Sequence, residues 1–184
     1  MELFKLIWGL RGVVYKVRFK KIGKLSYMGK PLILLGTKRV EIGNKVRIYP
    51  GMRMETYGKE SSIVIEDNVS IGQNLHITSG GNLIIGNNTS IAGNVVVTNI
   101  DHNYTDIDVH ILEQNYNIKQ TAIGENCFIG YGAIIQAGTI LGKQCIVGAN
   151  SVVRGRFPDY CVLAGIPAKI IKRYDNNSGE WIKV

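Results

Sequence analysis

Abstracting a proton near neutral pH calls for a side chain whose own pKa lies close by, and histidine is the one suited to it. The chain offers three: His76, His102 and His110. His102 and His110 share a stretch with Asp101, Asp106, Asp108 and Glu113. Asp101, Asp106 and Glu113 are each candidates to orient an imidazole, and the sequence does not choose between them. The other groups with reactive potential are Cys127, Cys145 and Cys161, and a cationic tail of Lys169, Lys172 and Arg173. Those cations suit phosphate groups, or form a solvated charged end.

The elements that must hold these residues announce themselves in Ile123–Val153, where Ile123, Ile129, Ile135, Leu141 and Val147 fall every six residues. A glycine usually follows, and four places on comes a small residue: Cys127, Ala133, Thr139, Cys145, Ser151. Neither a helix nor an ordinary strand repeats every six. Hexapeptide repeats build a parallel β-helix, one short strand and one turn per hexad. Three hexads make a coil, so residue i is expected to stack on residue i+18 at about 4.8 Å. The aliphatic residue points into the prism and the small one fills its narrow interior. The glycine is expected to avoid crowding or to supply an unusual φ. The same period starts near Leu32, passes Ile42-Gly43, Ile65, Ile71-Gly72, Ile85-Gly86 and Ile91-Ala92, and ends at Val97. By this phase Leu75 points inward and His76 outward, as a ring on the coil surface. Cys127 and Cys145 point inward as reduced packing residues and poor nucleophiles.

Between Asn99 and Gln120 the hexads stop while both flanks stay in phase. This segment is a loop thrown out between coils, and such loops are usually functional or disordered. Its Ile107, Val109, Ile111 and Leu112 argue for an ordered loop that packs against something. Residues 1–31 form an N-terminal segment with a helical stripe of Leu3, Ile7, Leu10, Val14 and Val17. Its first 24 residues carry Lys5, Arg11, Lys16, Arg18, Lys20, Lys21 and Lys24 against Glu2, most of the whole chain's net charge of +8. Such a helix packs on the first coil or a neighbouring subunit, or lies on an anionic membrane surface; no nucleic-acid module is recognisable. The expected layout is 1–31 segment, 32–168 solenoid with loop 99–120, and 169–184 a C-terminal cap. No apolar run reaches the roughly 20 residues of a transmembrane helix, and no signal peptide is evident, so a cytoplasmic location is expected.

The hexads, with the tail Leu163-Ala164-Gly165-Ile166-Pro167-Ala168-Lys169-Ile170-Ile171-Lys172-Arg173, resemble the left-handed β-helix acetyltransferases. Residues 85–173 are similar to the galactoside and maltose acetyltransferases. The resemblance implies a left-handed parallel β-helix, acetyl-CoA as co-substrate, no metal, and a homotrimer with active sites between subunits. It implies His102 as general base, because Ile91–His102 aligns without a gap to the family segment ending in its catalytic histidine. Transfer to a hydroxyl, or an amine, of a sugar or glycan would then be direct, with no covalent intermediate. Carried over position by position, Tyr131, Ala149, Arg154, Lys169 and Lys172 match places that contact coenzyme A. Gly72 and Gly80 depart from the polar and acidic residues of the sugar enzymes, so galactoside and maltose are not carried over as substrates. The N-terminus is more similar to enzymes that O-acetylate surface polysaccharides. The competing readings are a non-catalytic trimeric scaffold, with His102 inert, and a zinc carbonic anhydrase on the same fold using His76, His102 and His110.

Overall fold

The computed structural model describes residues 2–184, and the side chains from residue 4 onward. Leu3, which begins the expected stripe, has its side chain outside the described residues, as does Glu2.

After an N-terminal helix, α1 (Glu2–Tyr15), the chain winds as a parallel β-solenoid with three faces. Inward rows run up each face in strict register. Ile42, Ile65, Ile85, Ile123 and Leu141 line the first. Ile48, Ile71, Ile91, Ile129 and Val147 line the second. Met54, Ile77, Val97, Ile135 and Val153 line the third. These aliphatics form one continuous core. Each strand alone is too short to bury its apolar side, and stacking supplies the partner.

The coils are not uniform, and the departures sit at one corner. From first face to second the step is always six (Ile42 to Ile48, Ile65 to Ile71, Ile85 to Ile91, Ile123 to Ile129, Leu141 to Val147), and from second to third it is six again (Ile48 to Met54 through Val147 to Val153). From third back to first it varies: Met54 to Ile65, Ile77 to Ile85, Val97 to Ile123, Ile135 to Leu141, Val153 to Phe157. Stacking at i+18 therefore holds only where that corner is shortest among the regular coils, as in Ile123 on Leu141. The longer coils also carry larger side chains at the narrow inward place. Met52, Leu75 and Val95 occupy the place that Ala133 and Ser151 take later, all of them buried.

One further expectation is corrected, and of the two roles expected for the glycines one holds. Parallel pairing begins at Lys21–Ile22, not near Leu32; Ile22-Gly23, Met28-Gly29 and Leu34 already carry the period. The glycines after the aliphatic residue are demanded by close approach, not by φ. A Cβ on Gly124 would sit 2.3 Å from the Gly142 carbonyl oxygen. The left-handed φ falls two residues later, on Asn68, Asn88 and Asn126, the residue type that tolerates it. Asn68 Nδ2 donates to Asn88 Oδ1 at 2.9 Å, one rung of the ladder that results.

Helix α1 docks on the first coil through a face the stripe did not mark. Trp8 stacks near Tyr27 and Tyr49 (centroids 6.0 and 5.3 Å), and Gly12 is buried with room for no side chain, a Cβ there meeting the Ser26 carbonyl oxygen at 3.0 Å. The apolar stripe points away: Phe4, Leu6, Ile7, Leu10, Val13, Val14 and Val17 are all exposed. Of the two glycines that weaken the helix intrinsically, Gly12 sets how close α1 sits, whereas a Cβ on Gly9 would meet nothing within 4 Å. At the other end, Cys161–Gly165 is the last parallel strand, and Ala168–Asp175 and Glu180–Lys183 extend the second face antiparallel.

Candidate active site

The residues 99–120 leave from the variable corner as an ordered hairpin. Ile100–His102 pairs antiparallel with Tyr116–Ile118. Asn99, fully buried, anchors its base: Oδ1 accepts from Gly80 N–H (2.8 Å), and Nδ2 donates to Ser79 Oγ (3.0 Å) and the Asn82 carbonyl (3.3 Å). Gly80 and Gly81 make room beneath it, since a Cβ on either would sit 2.9 Å from Ile118. The tip is tied by Gln114, whose amide bridges Asp106 and Val109. The loop is thus ordered, but its apolar residues do not pack within the chain: Tyr104, Ile107, Val109, Ile111 and Leu112 are exposed.

The hairpin walls a cleft of about 330 Å³ on the outer side of the third face. Cross-strand register builds its floor in two rows, Arg53–His76–Val96 and Glu55–Thr78–Thr98. Ile100, His102, Tyr116 and Tyr57 complete the lining. His102 is exposed, and its ring meets Tyr116 edge-on at 4.9 Å. Thr98 Oγ1 links hairpin and floor, accepting from Ile100 N–H (3.0 Å) and from Thr78 Oγ1 (2.8 Å).

The floor holds groups that hexad phase alone did not select. His76 points outward as expected, but into this cleft, not to open surface. Its Nε2 is buried without a hydrogen-bond partner among the described residues, as is Arg53 Nε. Burial, and then the Arg53 guanidinium, hold the His76 imidazole below its usual range and so neutral. Glu55 is 2% exposed and pairs with Arg53 (Nη2 to Oε2, 3.0 Å). Burial, and then hydrogen bonding to Glu55, push the Tyr57 phenol up. The available signal was register: Arg53, His76 and Val96 fall on one outward row only when the longer coil is counted.

Other expected residues distribute as follows. His110 caps the turn Ile111–Glu113, its Nδ1 accepting from Leu112 N–H (3.1 Å). Asp101, adjacent to His102 on a strand, faces the other way and pairs with Arg154 (3.4 Å). Asp106 accepts from Thr105 at 3.5 Å. None of the three loop acids reaches His102 within the described chain. Tyr131 and Ala149 stack at the corner between second and third faces, Asn150 N–H donating to the Tyr131 carbonyl (2.8 Å); the Tyr131 hydroxyl also meets Asn94. Lys169 pairs across from Ala164, which stacks beside Gly148 at that same edge. Lys172 lies farther along, opposite Val162. Arg154 stands at the variable corner. So Tyr131, Ala149 and Lys169 line one edge, whereas Arg154 and Lys172 do not join it within one chain. That edge, with Gly130, Gly148 and Ala164 in succession, offers a near-bare strip with a cation at its end, which fits a pantetheine arm and a phosphate. The three cysteines are free and buried. Burial, then its contact with Cys145, pushes the Cys161 thiol up to about 12, so it is no nucleophile at neutral pH. Among the described residues no cluster of three or more His, Cys, Asp or Glu is arranged for a metal.

The family described as hexapeptide repeat of succinyl-transferase matches residues 120–154. A putative lipopolysaccharide biosynthesis O-acetyl transferase of Escherichia coli is 31% identical, the match covering 96% of this chain and 95% of that protein. The galactoside O-acetyltransferase of Escherichia coli is 32% identical over 68% of this chain and 60% of its own length. Among solved structures, an N-acyltransferase from Bacillus cereus, in complex with dTDP and 3-hydroxybutyryl-CoA, superposes with a TM-score of 0.77 at 19% identity, over 91% of this chain and 90% of that one. With the six-residue period, the three-faced parallel solenoid and a full-length relative in agreement, the chain belongs to the hexapeptide-repeat, left-handed β-helix acetyltransferases.

Proposed function

We propose that this protein is an acetyl-CoA-dependent O-acetyltransferase acting on a hydroxyl of a sugar or glycan, with His102 as general base. The observation that carries it is the placing of the His102 imidazole beside a polar-floored cleft large enough for a sugar ring, in a chain whose full-length relative is named for O-acetyl transfer. Acetyl-CoA supplies an activated acyl group when bound. His102 would take the proton of the acceptor hydroxyl as that oxygen attacks the thioester carbonyl; the C–S bond then breaks, and the coenzyme A thiolate leaves as the thiol, taking the proton back from His102. Tyr131, Ala149 and Lys169 form the edge along which the donor would lie, and Arg154 and Lys172 would join it only from a neighbouring subunit. Thiol release from acetyl-CoA against a panel of sugars and sugar nucleotides tests the reading. A wild-type protein that neither binds nor consumes acetyl-CoA would sink it and favour the scaffold.

We infer the assembly from what the single chain leaves open. The exposed apolar tip of 104–112 suits a second copy of the chain, and a homotrimer would place that tip and the edge carrying Arg154 at subunit boundaries. Sedimentation should give three times the chain mass. The outward apolar stripe of α1, flanked by Lys5, Arg11, Lys16 and Arg18, suits peripheral contact with an anionic membrane from a cytoplasmic location. No described helix is long and apolar enough to cross a membrane. Co-sedimentation with anionic but not zwitterionic vesicles, weakened by salt, is the expected result.

A further inference from the structure

The outer side of the third face is divided. Reading one outward row along the solenoid gives Ile33, Arg53, His76, Val96, Ile134 and Val152. Arg53 and His76 are its polar members, set between Ile33 on one side and the aliphatic Val96, Ile134 and Val152 on the other. The row beside the polar part is Glu55, Thr78 and Thr98, again all polar. His102 lines the cleft at the junction, on the hairpin that leaves just after Thr98. The polar half is built, not incidental. Glu55 is sealed from solvent and fixes Arg53 through the 3.0 Å ion pair. Two buried nitrogens of this half, Arg53 Nε and His76 Nε2, lack partners among the described residues, and leaving such groups unpaired is costly. A neutral imidazole presents one donor and one acceptor nitrogen, and a guanidinium only donors. Together they match the paired donor–acceptor character of neighbouring sugar hydroxyls.

We propose that Arg53 and His76, held by Glu55 and with the Thr78 hydroxyl, form the acceptor subsite, binding hydroxyls next to the one that His102 deprotonates. The aliphatic half, Val96, Ile134 and Val152, is left for the acyl and pantetheine portion of the donor. His76 is thereby a positioning residue that touches the acceptor without moving the transferred proton. This rests on the O-acetyltransferase reading above and extends it.

The chain's three histidines make the test direct. Imidazole nuclear magnetic resonance signals are followed while methyl α-D-glucopyranoside, methyl β-D-galactopyranoside and methyl α-L-rhamnopyranoside are added to the full-length protein. At least one glycoside should move the signals of His76 and His102 together and leave His110 still. With that glycoside as acceptor, His76→Asn and His76→Gln should raise the acceptor KM at least about 10-fold, keep kcat within about 3-fold, and leave the acetyl-CoA KM unchanged. If His102 responds and His76 does not, or if no glycoside moves either signal, the proposal is overturned. It is equally overturned if the His76 variants lose kcat as His102→Ala does, since His76 would then be part of the chemistry. Failure of the underlying reading looks different: acetyl-CoA would then release no thiol in the wild-type protein with any acceptor.

Discussion

Two of the prism's corners keep six residues per step from the first coil to the last, while the third absorbs every irregularity. The invariant corners are packed backbone to backbone; a Cβ on Gly124 or Gly130 would lie well under 3 Å from the next coil. At the variable corner the chain can bulge outward without disturbing the inward rows, because the strands on either side resume the same register. The candidate active site grows from that corner: Tyr57 from one bulge, Gly80-Gly81 from the next, and the His102 hairpin from the longest. The lesson is that the rigid corners supply the ruler and the tolerant corner supplies the chemistry.

The strongest way to break this contrast is insertion. Adding Ser-Gly between Glu125 and Asn126, at an invariant corner, should abolish the cooperative thermal transition, since every later inward residue leaves its row. The same insertion between Ala137 and Gly138, at the variable corner, should cost about 1 kcal/mol, a Tm change of about 2–4 °C for a chain of this size. Equal losses at the two corners would refute the distinction. Next, His102→Ala should lower turnover at least about 10²-fold in thiol release, as loss of a general base does, with the Tm unmoved. Asn99→Ala tests where the corner meets the hairpin. It leaves the Gly80 N–H unpaired and should cost about 1–3 kcal/mol, with faster hydrogen exchange in 100–118 than in 121–153. The smallest effect concerns pH. His76 is held below its ordinary value of 6.5. The unfolded chain therefore binds the extra proton first, and stability is fully present above about pH 6.5 and declines as pH falls below it. His76→Asn should flatten that decline in urea melts between pH 7 and 5; an unchanged slope would show that His76 is not the group responsible.

The solenoid was legible because its cause is local. An aliphatic residue every six positions, a glycine usually beside it and a small residue four on are visible in any window of eighteen within residues 123–153. The period also located the loop, as the place where it fails. Less was legible at the ends. The first coil from Lys21 has too few hexads to stand out, and the stripe on α1 marked the exposed side because the docking face is made of Trp8 and Gly12, where close approach counts for more than hydropathy. Of the candidate site, His102 and Lys169 were named through resemblance alone, and Tyr131 and Ala149 through resemblance together with their eighteen-residue spacing.

By itself, then, the sequence determined the repeat, the inward rows and the point at which the chain departs from them, since each depends on neighbours within one coil. The tertiary structure decided which outward residues meet. Arg53, His76 and His102 share no local period, and they line one cleft only because two long coils and a hairpin bring their side chains to the same side of the prism. It also decided the surroundings of His76: an open-surface imidazole by phase, a half-buried one held neutral by that burial and by the company of Arg53.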